Sequence, residues 1–152
     1  MSAPRADRQA RAVALLERHQ LDALIVSHLA NIRWLTGFTG SAGVLLLRPE
    51  RTTLLTDFRY AVQAPEEVAG TADTLIERTN VWGRLEEMVR RLDTVRVGFE
   101  SEIVTARQAG RINSWLGGAA VPTVDLIEEL RQIKDAGEIA AIRAAGALAT
   151  EA

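Results

Sequence analysis

The chain has 152 residues, with 18 basic and 20 acidic side chains and a formal net charge of −2. That length makes one domain with a core of ordinary size, and 47% apolar with 25% charged residues is the balance of a globular fold. Near-neutral charge removes the electrostatic reason to expect nucleic acid or an anionic membrane as partner, and the absence of cysteine excludes disulfides, thiolate catalysis and thiolate-held metals.

Arg5 to His19 reads as a helix, with Ala10, Val13 and Leu16 on one face and Arg8, Arg11, Glu17 and Arg18 polar. Mixed charges precede any apolar stretch there, unlike a signal peptide, and no apolar run approaches the ~20 residues that span a bilayer. The cytoplasm is the expected compartment. Asp22 to Ser27 reads as a short buried strand, and residues 29 to 36 as a helical turn stopped by Gly37. Gly43 to Arg48 and Arg51 to Asp57 flank Pro49-Glu50, the pattern of a β-hairpin. Phe58 to Val68 suits a helix that Pro65 interrupts or ends, and Asp73 to Arg78 a strand. Thr79 or Asn80 caps a helix carrying Trp82, Leu85, Met88 or Val89, and Leu92. Thr94 to Phe99 is a strand. Thr105 with Gln108 forms a capping box ahead of Ala109, Ile112 and Leu116, and Gly117-Gly118 stops that helix. Ala119 to Val124 is a strand whose Pro122 places it near an edge. Two Asp-x-x-Glu starts follow, Asp125 with Glu128 and Asp135 with Glu138. The second opens an Ala-rich helix that runs to the last residue. It either docks back on the domain or is a connector toward a missing partner domain. Strands alternating with helices argue for an α/β layered fold, and the early hairpin makes its sheet mixed.

Four segments in order carry a family resemblance: NIRWLTGFTGSAG at 31–43, TDFRY at 56–60, VGFE at 97–100 and DLIEELRQIKDAGEIAAIRAA at 125–145. Together the chain resembles the amino-terminal domain of the creatinase/prolidase/aminopeptidase P family, the Xaa-Pro peptidases. The resemblance implies a three-layer α/β/α domain with a ribonuclease-H-like mixed sheet over residues 1–134. Residues 135–152 would then be a linker and first helix leading to an absent pita-bread catalytic domain. In the family that second domain holds two divalent, manganese-like ions through two Asp, one His and two Glu. Paired cations polarise a carbonyl and acidify bound water. After Lys134 this chain has only Asp135, Glu138 and Glu151 as acids and no histidine. The expectation is therefore no catalytic residue, no metal and no peptidase activity in this chain itself. The implied partners are the chain's own catalytic domain, a second copy in a homodimer, and proline-containing peptides.

Individual residues carry two readings each. Gly37, Gly40 and Gly43 are spaced by three, which matches no phosphate-binding fingerprint, and a strand follows. They read as a tight loop. The resemblance implies that such a loop lies near the active site of the other subunit. Phe38 would then present its ring to a substrate side chain or to the partner, with core packing as the alternative. Arg59 could meet a peptide carboxylate across a subunit interface, with Tyr60 beside it, or could pair locally with Asp57. His28, with no carboxylate in view, reads as a solvated or capping residue, and His19 as a complement to a helix end. Trp34, Trp82 and Trp115 fall on apolar helical stripes and read as core.

Two functions compete. One is an accessory domain of a metallopeptidase, serving dimerisation and the access of proline peptides. The other is a stand-alone or chaperone-like interaction module of the same fold without peptidase activity. Creatinase, a hydrolase of the same family, is a third possibility, but the loop at 38–42 looks more like the peptidases.

Overall fold

The computed structural model describes residues 3–93 and 96–151. Six strands form one mixed sheet: β1 (Ala23–Val26), β2 (Val44–Leu47), β3 (Thr52–Asp57), β4 (Asp73–Glu77), β5 (Val97–Glu100) and β6 (Ala120–Thr123), in the order β4-β3-β2-β1-β5-β6. β2 is antiparallel to both β1 and β3, and the remaining neighbours run parallel. The β2–β3 hairpin closes over Pro49 and Glu50 through reciprocal Arg48–Arg51 backbone bonds. Pro122 stands in edge strand β6, opposite Phe99, where its missing N–H costs no inner ladder bond. Of the segment expected as a strand from Thr94, Thr94 and Val95 lie outside the described residues.

The central strands are apolar at every position because both of their faces are covered. Leu24, Val26, Leu45, Leu47 and Leu54 pack on one side with α1 (Ala3–Arg18), α2 (Leu29–Thr36), α3 (Gln63–Glu67) and α6 (Leu126–Gln132). Ala23, Ile25, Val44, Leu46 and Leu55 pack on the other with α4 (Val81–Arg90) and α5 (Ala106–Trp115). The result is a three-layer α/β/α fold. All three tryptophans sit within these layers, Trp82 and Trp115 with ring centroids 6.4 Å apart.

The capping box of Thr105 with Gln108 is present, and Asn80 caps α4 by accepting from the Gly83 N–H. Four local expectations change. The buried face of α1 is Ala12, Leu15 and Leu16, with Ala10 exposed, because the helix meets α6 and α2 as well as the sheet. The single helix expected over 58–68 is a 3₁₀ turn at Phe58–Tyr60 followed by α3. Pro65 is the third residue of α3 and falls in the first turn, whose N–H groups have no intrahelical acceptor. Asp125 does not cap α6: its backbone is left-handed at φ 55 and its side chain makes no cap bond.

The Asp135–Glu138 start of α7 (Ala136–Glu151) is a reciprocal capping box, with each backbone N–H bonded to the other's carboxylate. Arg8 grips Asp135, and the Trp34 indole N–H donates to Glu138 at 3.0 Å. Beyond that first turn α7 does not dock on the domain. Ile142 and Leu148 are 57% and 71% exposed.

Candidate functional site: the glycine loop and the polar knot

The loop between α2 and β2 is held at both ends. Gly37 terminates α2 in the left-handed region at φ 89, and its N–H donates to the Arg33 carbonyl at 2.7 Å. A residue with a Cβ would be strained there. The Thr36 hydroxyl donates to the Ile32 carbonyl and accepts from the Phe38 N–H, which turns the chain inward. Phe38 is consequently buried, 1% exposed, and its ring meets Tyr60 edge-on at 5.3 Å and 83°. A Cβ on Gly40 would overlap that ring, so the second glycine of the loop is what lets Phe38 seat.

The rim of the loop is polar. Glu67 accepts from both the backbone N–H and the hydroxyl of Thr39, at 2.7 and 2.6 Å, and from Gln63 at 3.0 Å. Burial pushes the Glu67 carboxyl up, but the hydrogen bonds from Thr39 and Gln63, with the charge of Arg33, outweigh it and hold the group below its ordinary range. The Tyr60 hydroxyl accepts from the Ser41 N–H at 3.0 Å and shares a hydrogen bond with its hydroxyl at 2.8 Å, which lowers the phenol from its usual value. Asp57 caps the 3₁₀ turn and takes a two-pronged contact from Arg59, Nε at 2.9 Å and Nη2 at 2.7 Å. That hydrogen bond holds the Asp57 carboxyl below the usual carboxylate range.

Phe38, Arg59 and Tyr60 therefore stand together. Tyr60 lies between the other two, with the Arg59 guanidinium 5.5 Å from its ring centroid. Phe38 faces the core rather than solvent, because the bond to Thr36 and the space at Gly40 aim it there. Arg59 forms the local pair with Asp57 and still leaves its side chain 57% exposed.

A second cluster lies where the strand order reverses, at the carboxyl ends of β1 and β5. Glu100 is 8% exposed and accepts from the Ser27 and His28 N–H groups at 2.6 and 2.7 Å and from Asn31 Nδ2 at 2.7 Å. Asn31, fully buried, also donates to Glu128 at 2.6 Å and accepts from Arg131 at 2.8 Å. His28 Nδ1 lies 3.1 Å from Glu128. Burial pushes Glu128 up, but the hydrogen bonds from Asn31 and His28 leave it below its ordinary value. This corrects the reading of His28: it has a carboxylate partner, supplied by a helix a hundred positions on. Asn31 and Glu100 stand within the recognisable segments, yet nothing local marks their role. Each partner is donated by a distant element.

Both carboxylates of the knot take their donors from other elements, so the cluster clamps β1, α2, β5 and α6 together. Among the described residues, no three His, Asp or Glu side chains gather in a way that could hold a metal ion. No helix among them is long and apolar enough to cross a membrane.

The comparisons with known proteins agree with this geometry. A sequence profile of the Creatinase/Prolidase N-terminal domain matches residues 8–133. A protein of Bacillus subtilis (strain 168), described as uncharacterized peptidase YqhT, is 30% identical over a 138-residue alignment that covers 87% of this chain and 37% of that protein. The chain thus spans little more than a third of that relative. Among solved structures, Xaa-Pro dipeptidase from Bacillus anthracis superposes with a TM-score of 0.81 at 25% identity, over 89% of this chain and 38% of the other. The N-terminal domain of cytoplasmic peptidase PepQ from Mycobacterium tuberculosis H37Rv gives 0.74 at 31% identity, over 82% of this chain and 98% of that one.

Proposed function

Because the chain belongs to the Creatinase/Prolidase N-terminal domain family, we propose that it is the accessory domain of a cytoplasmic Xaa-Pro peptidase, with roles in dimerisation and in the access of proline-containing peptides. The observation that carries this reading is α7. Arg8 and Trp34 anchor its first turn, and the rest projects with Ile142 and Leu148 uncovered. An isolated Ala-rich helix of this length is marginal in water, so a further domain packed on it supplies the missing burial. The X–Pro bond lacks an N–H, so a peptidase that reads extended backbone loses a donor there and needs other means of holding its substrate.

In this reading two divalent cations, which polarise the scissile carbonyl and acidify water, belong to the catalytic domain. The residues of this chain do not fit them, since among the described residues no three His, Asp or Glu side chains gather in a way that could hold a metal ion. The chain's own part is positional. The Arg59 fork and the Tyr60 hydroxyl form the exposed rim of the loop, and Phe38 buttresses it from below.

The test has two arms. Residues 1–152 with Mn²⁺ and an Xaa-Pro peptide should show no turnover. Chelator-sensitive hydrolysis by this chain alone would overturn the proposal. In a polypeptide carrying this chain joined to its catalytic domain, Tyr60→Phe should raise KM severalfold with kcat nearly unchanged, because a positional contact acts on binding. An unchanged KM removes the loop from substrate access.

A further inference from the structure

A cleft of about 600 Å³ opens between α1, α2, α6 and the start of α7, with Glu128 and Arg131 of the knot on its wall. Five cations line it: Arg5, Arg8, Arg33, Arg131 and Lys134. Only two carboxylates do, and both are engaged. Glu128 is held by Asn31 and His28, and Glu138 by Trp34 and the α7 capping box.

The cations are less well matched. Arg8 is the exception, pairing with Asp135 and Glu138 and donating to the Trp34 carbonyl, although its Nε is buried without a hydrogen-bond partner. Arg131 and Lys134 give hydrogen bonds to neutral oxygens, the Asn31 side chain and the Arg131 carbonyl. Among the described residues, the Arg5 and Arg33 side chains make no hydrogen bond and no ion pair within 4 Å. The Arg5 guanidinium lies over Gly37, in the space a side chain there would fill.

A structural role accounts for part of this charge. Arg33 and Arg131 stand in the last turns of α2 and α6, where a helix end presents roughly half a negative charge. Glu67 also feels Arg33 through space. Asp135 neutralises Arg8 and the two helix ends together offset about one unit, so of the excess of three cations over carboxylates on the lining a surplus of about one positive charge remains in a concave space. The whole chain, by contrast, is net negative at −2. Guanidinium forks match paired anionic oxygens, and a concave wall focuses their field.

We infer that this cleft is a binding site for a small dianion, a phosphate or a dicarboxylate, held by Arg5 and Arg33 with Arg131 and Lys134 as the second wall. The ligand chemistry is two anionic oxygens presented to two guanidinium groups, and the two sources are separated by experiment.

Residues 1–152 are titrated with inorganic phosphate, with succinate and with a short polyglutamate peptide, at a constant ionic strength of roughly 0.15 M so that loose surface attraction is screened. Calorimetry and backbone amide shifts are the readouts. Saturable one-to-one binding of phosphate or succinate is expected, with Kd near or below about 1 mM. Whichever of the two binds more tightly identifies the oxygen source. Arg5→Gln and Arg33→Gln should each weaken it about tenfold, the loss of a charge-assisted hydrogen bond. Their melting temperatures should change little, since neither side chain makes a hydrogen bond or an ion pair within 4 Å among the described residues. Arg84→Gln, on α4 and paired with Glu87, should leave binding untouched. Absence of saturation by about 10 mM, where only screened attraction is left, overturns the inference. So does binding that survives the Arg5→Gln/Arg33→Gln double variant, or binding of the peptide alone.

Discussion

On one side of the sheet, α4 and α5 bring Leu85, Val89, Ile112 and Trp115 against Ile25, Val44 and Leu55, a contact built from apolar groups throughout. On the other side, α1, α2 and α6 bury an apolar layer of similar extent, but a chain of polar contacts runs through it from Glu100 to Asn31 to Glu128 and Arg131. The glycine loop, the root of α7 and the cationic cleft all belong to this second side. Apolar packing is roughly proportional to area and tolerates small shifts. A buried carboxylate tolerates almost none, because each lost donor leaves charge unsatisfied. Polar threading therefore fixes α2 and α6, and with them the loop and the cleft, more tightly than burial alone does.

The largest expected effect tests whether the loop belongs to that core. Phe38→Ala should cost about 3–5 kcal/mol by chemical denaturation, the usual range for a buried phenylalanine. A change under about 1 kcal/mol would separate loop from core and return the ring to the role of a surface contact. Next comes Asn31→Leu, which keeps the branched shape but removes the donors to Glu100 and Glu128 and the acceptor of Arg131. It should cost about 2–3 kcal/mol, as unsatisfied buried charge does, and should blur the amide signals of α2 and α6 while leaving α4 and α5 sharp. A neutral result would make the two layers equivalent.

The smallest effect is in acid. Glu67 and Asp57 both sit below their ordinary values in the folded state. Their contribution is complete above the ordinary carboxylate range and disappears as pH falls through the depressed folded values. Stability measured between about pH 6 and pH 3 should therefore fall, and Glu67→Gln should flatten part of that slope. Leu85→Ala, in the apolar layer, should instead lower stability by a similar amount at every pH. An unchanged slope in Glu67→Gln would show that Thr39 and Gln63 do not hold the loop through this carboxylate.

The amino-acid order alone determined the elements wherever the signal is local. The apolar runs became inner strands, Thr105 and Asn80 capped their helices, Pro49-Glu50 closed a hairpin, and Pro122 marked an edge. Hydrophobic period and capping chemistry act within a few residues, so they survive reading along the chain. The motif segments likewise sufficed to indicate the family.

Only the tertiary structure decided what those elements do to one another. It aimed Phe38 inward through Thr36 and Gly40, gave His28 its carboxylate from α6, turned Asp125 away from capping, and joined Asn31 to groups 69 and 97 positions distant. It also gathered cations from both ends of the chain around one cleft. Charge and hydrogen bonding act through space, and a residue's partner there depends on how the sheet orders its strands. Spacing along the chain carries no trace of that order.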